Sequence, residues 1–95
     1  MDQVVWCVCG ETRLDWKQWG DDFVIFHENT GNTHYLNLFA GTALKLLLGR
    51  AASAETLAKD TSASLSIPYE PSMVDSVNVM LSELKSLGIT KATAT

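Results

Sequence analysis

The hydrophobic pattern of this chain changes its period near Asn37, and this change limits what the chain can fold into. Before Asn37, short β-branched and aromatic runs are separated by turn residues, which is typical of strands. After it, apolar residues recur every three or four positions, as on one face of a helix. The sequence therefore predicts strands at about residues 4–37, helices at about 38–89, and a frayed tail at 90–95.

Four segments before the change have strand character: Val4–Cys9, Thr12–Trp16, Phe23–Glu28 and Thr33–Asn37. The last two predict a hairpin, because Asn29–Asn32 is turn chemistry and supplies Gly31 for a positive φ. With 95 residues, the chain is long enough for one domain, 1–95, with a single core. We therefore expect an α+β, winged-helix-like domain, with an N-terminal three-stranded antiparallel sheet followed by three helices.

The predicted helix boundaries rest on capping residues. Asn37 is a favoured N-cap for a first helix, and Gly49 suits the position just after its end. Ser53 can cap a second helix that continues to about Ser64. These residues predict where two of the three helices begin.

The third helix has the clearest apolar stripe, made of Met73, Val77, Met80, Leu84 and Leu87. Ser72 with Asp75 resembles a capping box, and Gly88-Ile89 resembles a Schellman ending. At 100° per residue, Val79 falls on the face opposite the stripe. An exposed valine beside an open strand edge can line a peptide groove, although a single exposed apolar residue is also common on protein surfaces.

The charge pattern disfavours a nucleic-acid partner. The formal net charge is -4, the seven basic residues are scattered, and the third helix has Asp75 and Glu83 against Lys85 alone. No apolar run approaches the roughly 18–20 residues that span a bilayer, and the first residues lack the features of a signal peptide. We expect a cytoplasmic protein that binds neither nucleic acid nor membrane.

Cysteine and histidine residues give little support for a metal site or an enzyme. Cys7 and Cys9 are separated by one residue, so a disulfide between them would be strained and we expect free thiols. Structural zinc sites usually separate paired cysteines by two to four residues. His27 or His34 would have to complete such a site. His34 also lacks a recognisable nucleophile as a partner. No cofactor, metal or catalytic set is predicted.

Several of these segments together resemble the PqqD-like family of peptide chaperones, also called RiPP recognition elements. The resemblance is carried by Trp6, Arg13–Phe26, Thr30–Asn37 with the following LFAGTALKLL, and Leu81–Ile89. Within the family, the block Gly31, Thr33, His34, Leu36 and Asn37 is similar to the subgroup associated with an HPr-kinase-related protein.

The resemblance implies a non-catalytic domain that binds the leader region of a precursor peptide and presents it to a modifying enzyme, in a pathway like that of PQQ biosynthesis. It implies that the peptide adds a strand beside the third strand of the sheet and packs on the third helix. The implied contact residues are Thr33, His34, Tyr35, Leu36, Asn37, Ser76, Val79, Met80 and Glu83. The implied partners are the leader peptide and a modifying enzyme or HPr-kinase-related protein.

Two alternatives remain open from the sequence. A winged-helix transcription regulator has similar element content. An open strand edge can also pair with a second copy of the chain, which would give a homodimer.

Overall fold

A computed structural model describes residues 4–10 and 12–94 of the chain. Its elements are β1 (Val4–Val8), β2 (Leu14–Trp19), β3 (Asp22–His27), β4 (Asn32–Leu36), α1 (Leu38–Gly49), α2 (Ala54–Ser64), α3 (Ser72–Ser86) and β5 (Thr90–Ala94). The predicted α+β class is confirmed, with a three-stranded antiparallel sheet followed by three helices.

The three-stranded sheet has the order β2-β3-β4, with both connections made by hairpins. The first hairpin turns at Gly20 and Asp21, and Gly20 has φ 61, which a type II′ turn requires at its first central position. The second hairpin turns through Gly31, whose φ of 78 confirms the predicted positive value. Because β3 is central, β4 is left as an edge strand.

Strand β1 does not join that sheet. It pairs antiparallel with β5 in a separate two-stranded sheet, so the first and last described strands of the chain are neighbours. Trp6 of β1 also exchanges two backbone hydrogen bonds with Ala52, at 2.8 and 3.0 Å. Strand β1 therefore pairs with β5 and also contacts the segment between α1 and α2.

The prediction of a frayed tail at 90–95 is wrong for the described residues 90–94, and Thr95 lies outside them. The Schellman ending of α3 is confirmed, since Gly88 has φ 79 and the N–H of Ile89 donates to the Leu84 carbonyl at 2.9 Å. This turn reverses the chain and directs β5 toward β1. Thr90 is then 2% exposed, and its hydroxyl donates to the Leu81 carbonyl at 2.9 Å.

Two predicted helix starts are confirmed. The Oδ1 of Asn37 accepts from the Ala40 N–H at 2.8 Å, at the start of α1. The Oγ of Ser53 accepts from the Thr56 N–H at 3.2 Å, at the start of α2. Each cap satisfies one of the backbone donors that the first helical turn leaves without a partner.

Two other predicted boundaries are wrong. Helix α1 continues through Gly49, and the extended residue Arg50 follows it, so Gly49 does not occupy the position after the helix. Ser72 is already helical, and the preceding Pro71 makes no side-chain cap. The predicted capping box of Ser72 with Asp75 therefore does not form.

The core lies where the helices pack against one another and against the strands. Its largest fully buried aliphatic side chains are Ile25, Leu44, Leu47, Leu57, Val77, Leu81 and Ile89. Gly41 of α1 lies directly over the ring of Phe23, where an added Cβ would overlap the ring. This close approach sets the distance between α1 and β3.

The three tryptophans have different environments. Trp6 is 7% exposed and belongs to the core, whereas Trp19 is 69% exposed. Trp16 is half-buried and meets the Phe23 ring edge to face, at 5.8 Å between centroids. The Lys45 ammonium lies over both of these rings, at 5.4 and 4.6 Å from their centroids. Core and sheet packing therefore accounts for two of the three.

Candidate functional site

The outer edge of β4 presents backbone groups that no neighbouring strand in the described sheet covers. The Glu28 N–H donates to the Arg13 carbonyl at 2.9 Å, in line with the register that pairs Trp19 with Asp22. In an antiparallel sheet, alternate residues of the central strand bond to opposite neighbours. It follows that Phe23, Ile25 and His27 bond to β4, through its residues 36, 34 and 32.

The residues between those positions, Thr33 and Tyr35, therefore direct their N–H and C=O groups away from β3. Tyr35 is also 74% exposed. Two residues of β4 thus offer two donors and two acceptors along one open edge.

A groove of about 240 Å³ lies between this edge and α3. It is lined by Tyr35, Leu36, Asn37, Phe39, Ala40, Ser76, Val77, Val79, Met80 and Glu83. Asn37 follows β4 directly and caps α1, so two residues of the first turn of α1, Phe39 and Ala40, also line the groove.

The groove has a mixed lining, with somewhat more apolar than polar surface. Val77 and Met80 are buried, whereas Val79 is 59% exposed, as the periodicity of α3 predicts. Ser76 and Glu83 are exposed on the same face of α3. An extended chain lying here would meet apolar side chains on one side and free backbone groups on the other.

The structure brings most of the predicted contact residues together. Seven of the nine line this groove: Tyr35, Leu36, Asn37, Ser76, Val79, Met80 and Glu83. The other two do not. Thr33 lines a separate depression on the outer face of the sheet, beside Val24 and Phe26, so at the groove edge it offers only its backbone. His34 is half-buried on the opposite face of β4.

The sequence did not identify Phe39, Ala40 and Val77 as lining residues. Phe39 and Ala40 had a local signal, because the predicted cap at Asn37 places them in the first turn after the edge strand. Val77 had no local signal of this kind, because its place in the apolar stripe of α3 fits a core residue as well as a groove residue.

His34 is chemically unusual within β4. Its Nε2 is buried and has no hydrogen-bond partner among the described residues. A buried nitrogen without a partner costs on the order of 1–3 kcal/mol. His27, in contrast, is 3% exposed and has its Nδ1 3.2 Å from the Thr30 hydroxyl.

The described residues contain no group of three or more histidine, cysteine or acidic side chains arranged to hold a metal ion. Cys7 and Cys9 are half-buried free thiols at the end of β1. Among the described residues, no helix has the length and apolar character needed to cross a membrane.

Comparison with protein-family models, curated proteins and solved structures gives no match to this chain. The function is therefore argued from the groove and from the strand edge beside it.

Proposed function

We propose that this chain is a non-catalytic peptide-binding module that captures an extended peptide as an additional strand on β4. The observation that carries the proposal is the position of the free backbone groups of Thr33 and Tyr35 beside the groove along α3. Strand addition uses backbone hydrogen bonds for affinity and side-chain pockets for selectivity. Both parts occur here within one groove.

The backbone contribution can be estimated from the edge. Thr33 and Tyr35 together offer four hydrogen-bonding groups, and each bond contributes about 0.5–1.5 kcal/mol net. Val79, at 59% exposed, has apolar surface left to bury. The backbone bonds together contribute about 2–6 kcal/mol, which is comparable with the cost of association of at least about 4 kcal/mol. Tight binding therefore requires the side-chain contacts as well.

The charge of α3 favours a peptide over duplex DNA. This helix has two acidic residues, Asp75 and Glu83, and one basic residue, Lys85. A helix that enters the major groove needs a positive surface to neutralise phosphates. A winged-helix regulator is therefore the weaker hypothesis.

The resemblance to the PqqD-like family suggests which peptide is bound. On that basis, we propose that the ligand is the leader region of a precursor peptide and that the partner is a modifying enzyme or an HPr-kinase-related protein.

The free thiols of Cys7 and Cys9 fit a reducing compartment such as the cytoplasm.

Hydrogen exchange at individual amides tests the strand addition. In the free protein we expect the amides of His34 and Leu36 to be protected and those of Thr33 and Tyr35 to exchange quickly, because only the first pair bonds to β3. A peptide selected from a random phage-displayed library against the full chain should then slow the exchange of Thr33 and Tyr35.

The remaining edge of the sheet supplies an internal control. Strand β2 is the other edge, so its outward amides should keep their exchange rates when the peptide binds. Protection on β2 with no change on β4 would overturn the proposed site. Selected peptides that protect neither edge would overturn strand addition.

A further inference from the structure

Glu83 gives the groove a definite charge. Among the described residues that line the groove, Glu83 alone is charged, and no lysine or arginine belongs to the lining. The ion pair that the described chain forms, between Lys59 and Glu55, lies on α2. The carboxylate of Glu83 is exposed and has no cation at salt-bridge distance within the described residues.

The spacing of two groove residues matches the repeat of an extended peptide. Val79 and Glu83 are four residues apart on α3, which corresponds to about 6 Å along a helix. In a β-strand, residues two apart project to the same face and are separated by about 6.8 Å. Two alternate side chains of an added strand that runs along α3 can therefore meet Val79 and Glu83 together.

We propose that the ligand is a peptide segment with an apolar residue and a lysine or arginine two positions apart. This inference rests on the proposed function. The apolar residue packs on Val79 and Met80, and the basic residue pairs with Glu83. The residue between them projects to the opposite face of the sheet and does not meet Val79 or Glu83.

The net charge of -4 supports the same choice of ligand. A negative protein attracts a basic segment at long range and repels an acidic one, and this effect weakens as salt screens the charges. Binding should therefore be faster and tighter at low ionic strength.

The test selects random phage-displayed dodecapeptides on the full chain, in parallel for wild type, Glu83→Gln and Glu70→Gln. The Glu70 variant is the matched control, since it removes the same charge from an exposed residue outside the groove. Wild type and Glu70→Gln should enrich an apolar residue and a basic residue two positions apart. Glu83→Gln should enrich the apolar residue without the basic one.

Affinities of one synthetic peptide from the selection give the second measurement. Glu83→Gln should weaken its binding by about two- to fivefold, as expected for an exposed ion pair, and Glu70→Gln should not. Replacing the basic residue of the peptide by norleucine should weaken wild-type binding by the same factor and leave Glu83→Gln unaffected.

The failure of this inference can be distinguished from failure of the proposed function. Peptides that protect the Thr33 and Tyr35 amides but show no basic preference, or lose none of it in Glu83→Gln, would overturn the charge selection and leave strand addition in place. Failure to select any peptide that protects these amides would overturn both.

Discussion

Val79→Glu separates the stability of the fold from the function of the groove. Val79 is 59% exposed and lies outside the core cluster, so a charge at this position can remain in water. Glutamate has a somewhat better helix propensity than valine, while the new pair with Glu83 at i and i+4 costs about 0.2–0.5 kcal/mol. We expect the free energy of unfolding to change by less than about 0.5 kcal/mol.

The expected effect on binding is larger. Full burial of a valine side chain contributes about 1.5–3 kcal/mol, so covering the exposed 59% of Val79 contributes about 1–2 kcal/mol. Glutamate loses this contribution. If its carboxylate is also covered by the peptide, desolvation adds a further cost of about 1–3 kcal/mol. Binding should therefore weaken by at least roughly fivefold.

The matched control is Asn78→Glu. Asn78 is the preceding residue of α3, it is exposed, and it does not line the groove. The same charge is thereby added to the same helix, away from the proposed contact. Isothermal titration with one selected peptide, together with thermal melts of the three proteins, gives both quantities.

Equal affinities for wild type and Val79→Glu would refute the reasoning and move the site away from this face of α3. Equal changes of affinity in Val79→Glu and Asn78→Glu would assign the effect to the added charge on α3 and not to the groove. A fall in melting temperature beyond about 4 °C for Val79→Glu alone would show that Val79 supports the core.

Substitutions at two positions and one deletion test the fold. Gly41→Ala should destabilise the protein by about 1–3 kcal/mol or more in urea unfolding, because the new Cβ overlaps the ring of Phe23. Asn37→Ala should cost about 1 kcal/mol in the same assay, and Asn37→Ser should restore most of it, because serine also caps helices. Deletion of residues 90–95 should lower the melting temperature by more than about 8 °C, because it removes a whole strand and the buried hydrogen bond of Thr90. An unchanged melting temperature would support a frayed tail.

Local features of the fold were predictable because each depends on residues close together in the chain. The cap at Asn37 needs only an acceptor side chain and the amide three residues later. The turn at Gly31 and the ending at Gly88 need a residue that tolerates positive φ. The exposure of Val79 follows from a helical repeat that its own neighbours define.

Local reasoning failed where a boundary depended on packing elsewhere. Glycine is typical of the position after a helix, which is why Gly49 is expected there. Instead, Gly49 belongs to α1 and the chain becomes extended at Arg50. Shortly afterwards, Ala52 pairs with Trp6. Terminal residues are often poorly ordered, which predicts a frayed tail, but β1 provides a partner strand for it. In neither case does the nearby sequence encode the partner.

By itself, the sequence determined that the N-terminal strands precede the three helices, the helix starts at Asn37 and Ser53, and the outward face of α3, because hydrogen bonds and periodicity over a few residues decide these features. Only the tertiary structure decided that β1 pairs with β5 and that the edge of β4 lies across a groove from α3. Both arrangements join segments at least about 40 residues apart, and such contacts form only when the whole core packs and offsets the entropy of closing the intervening chain.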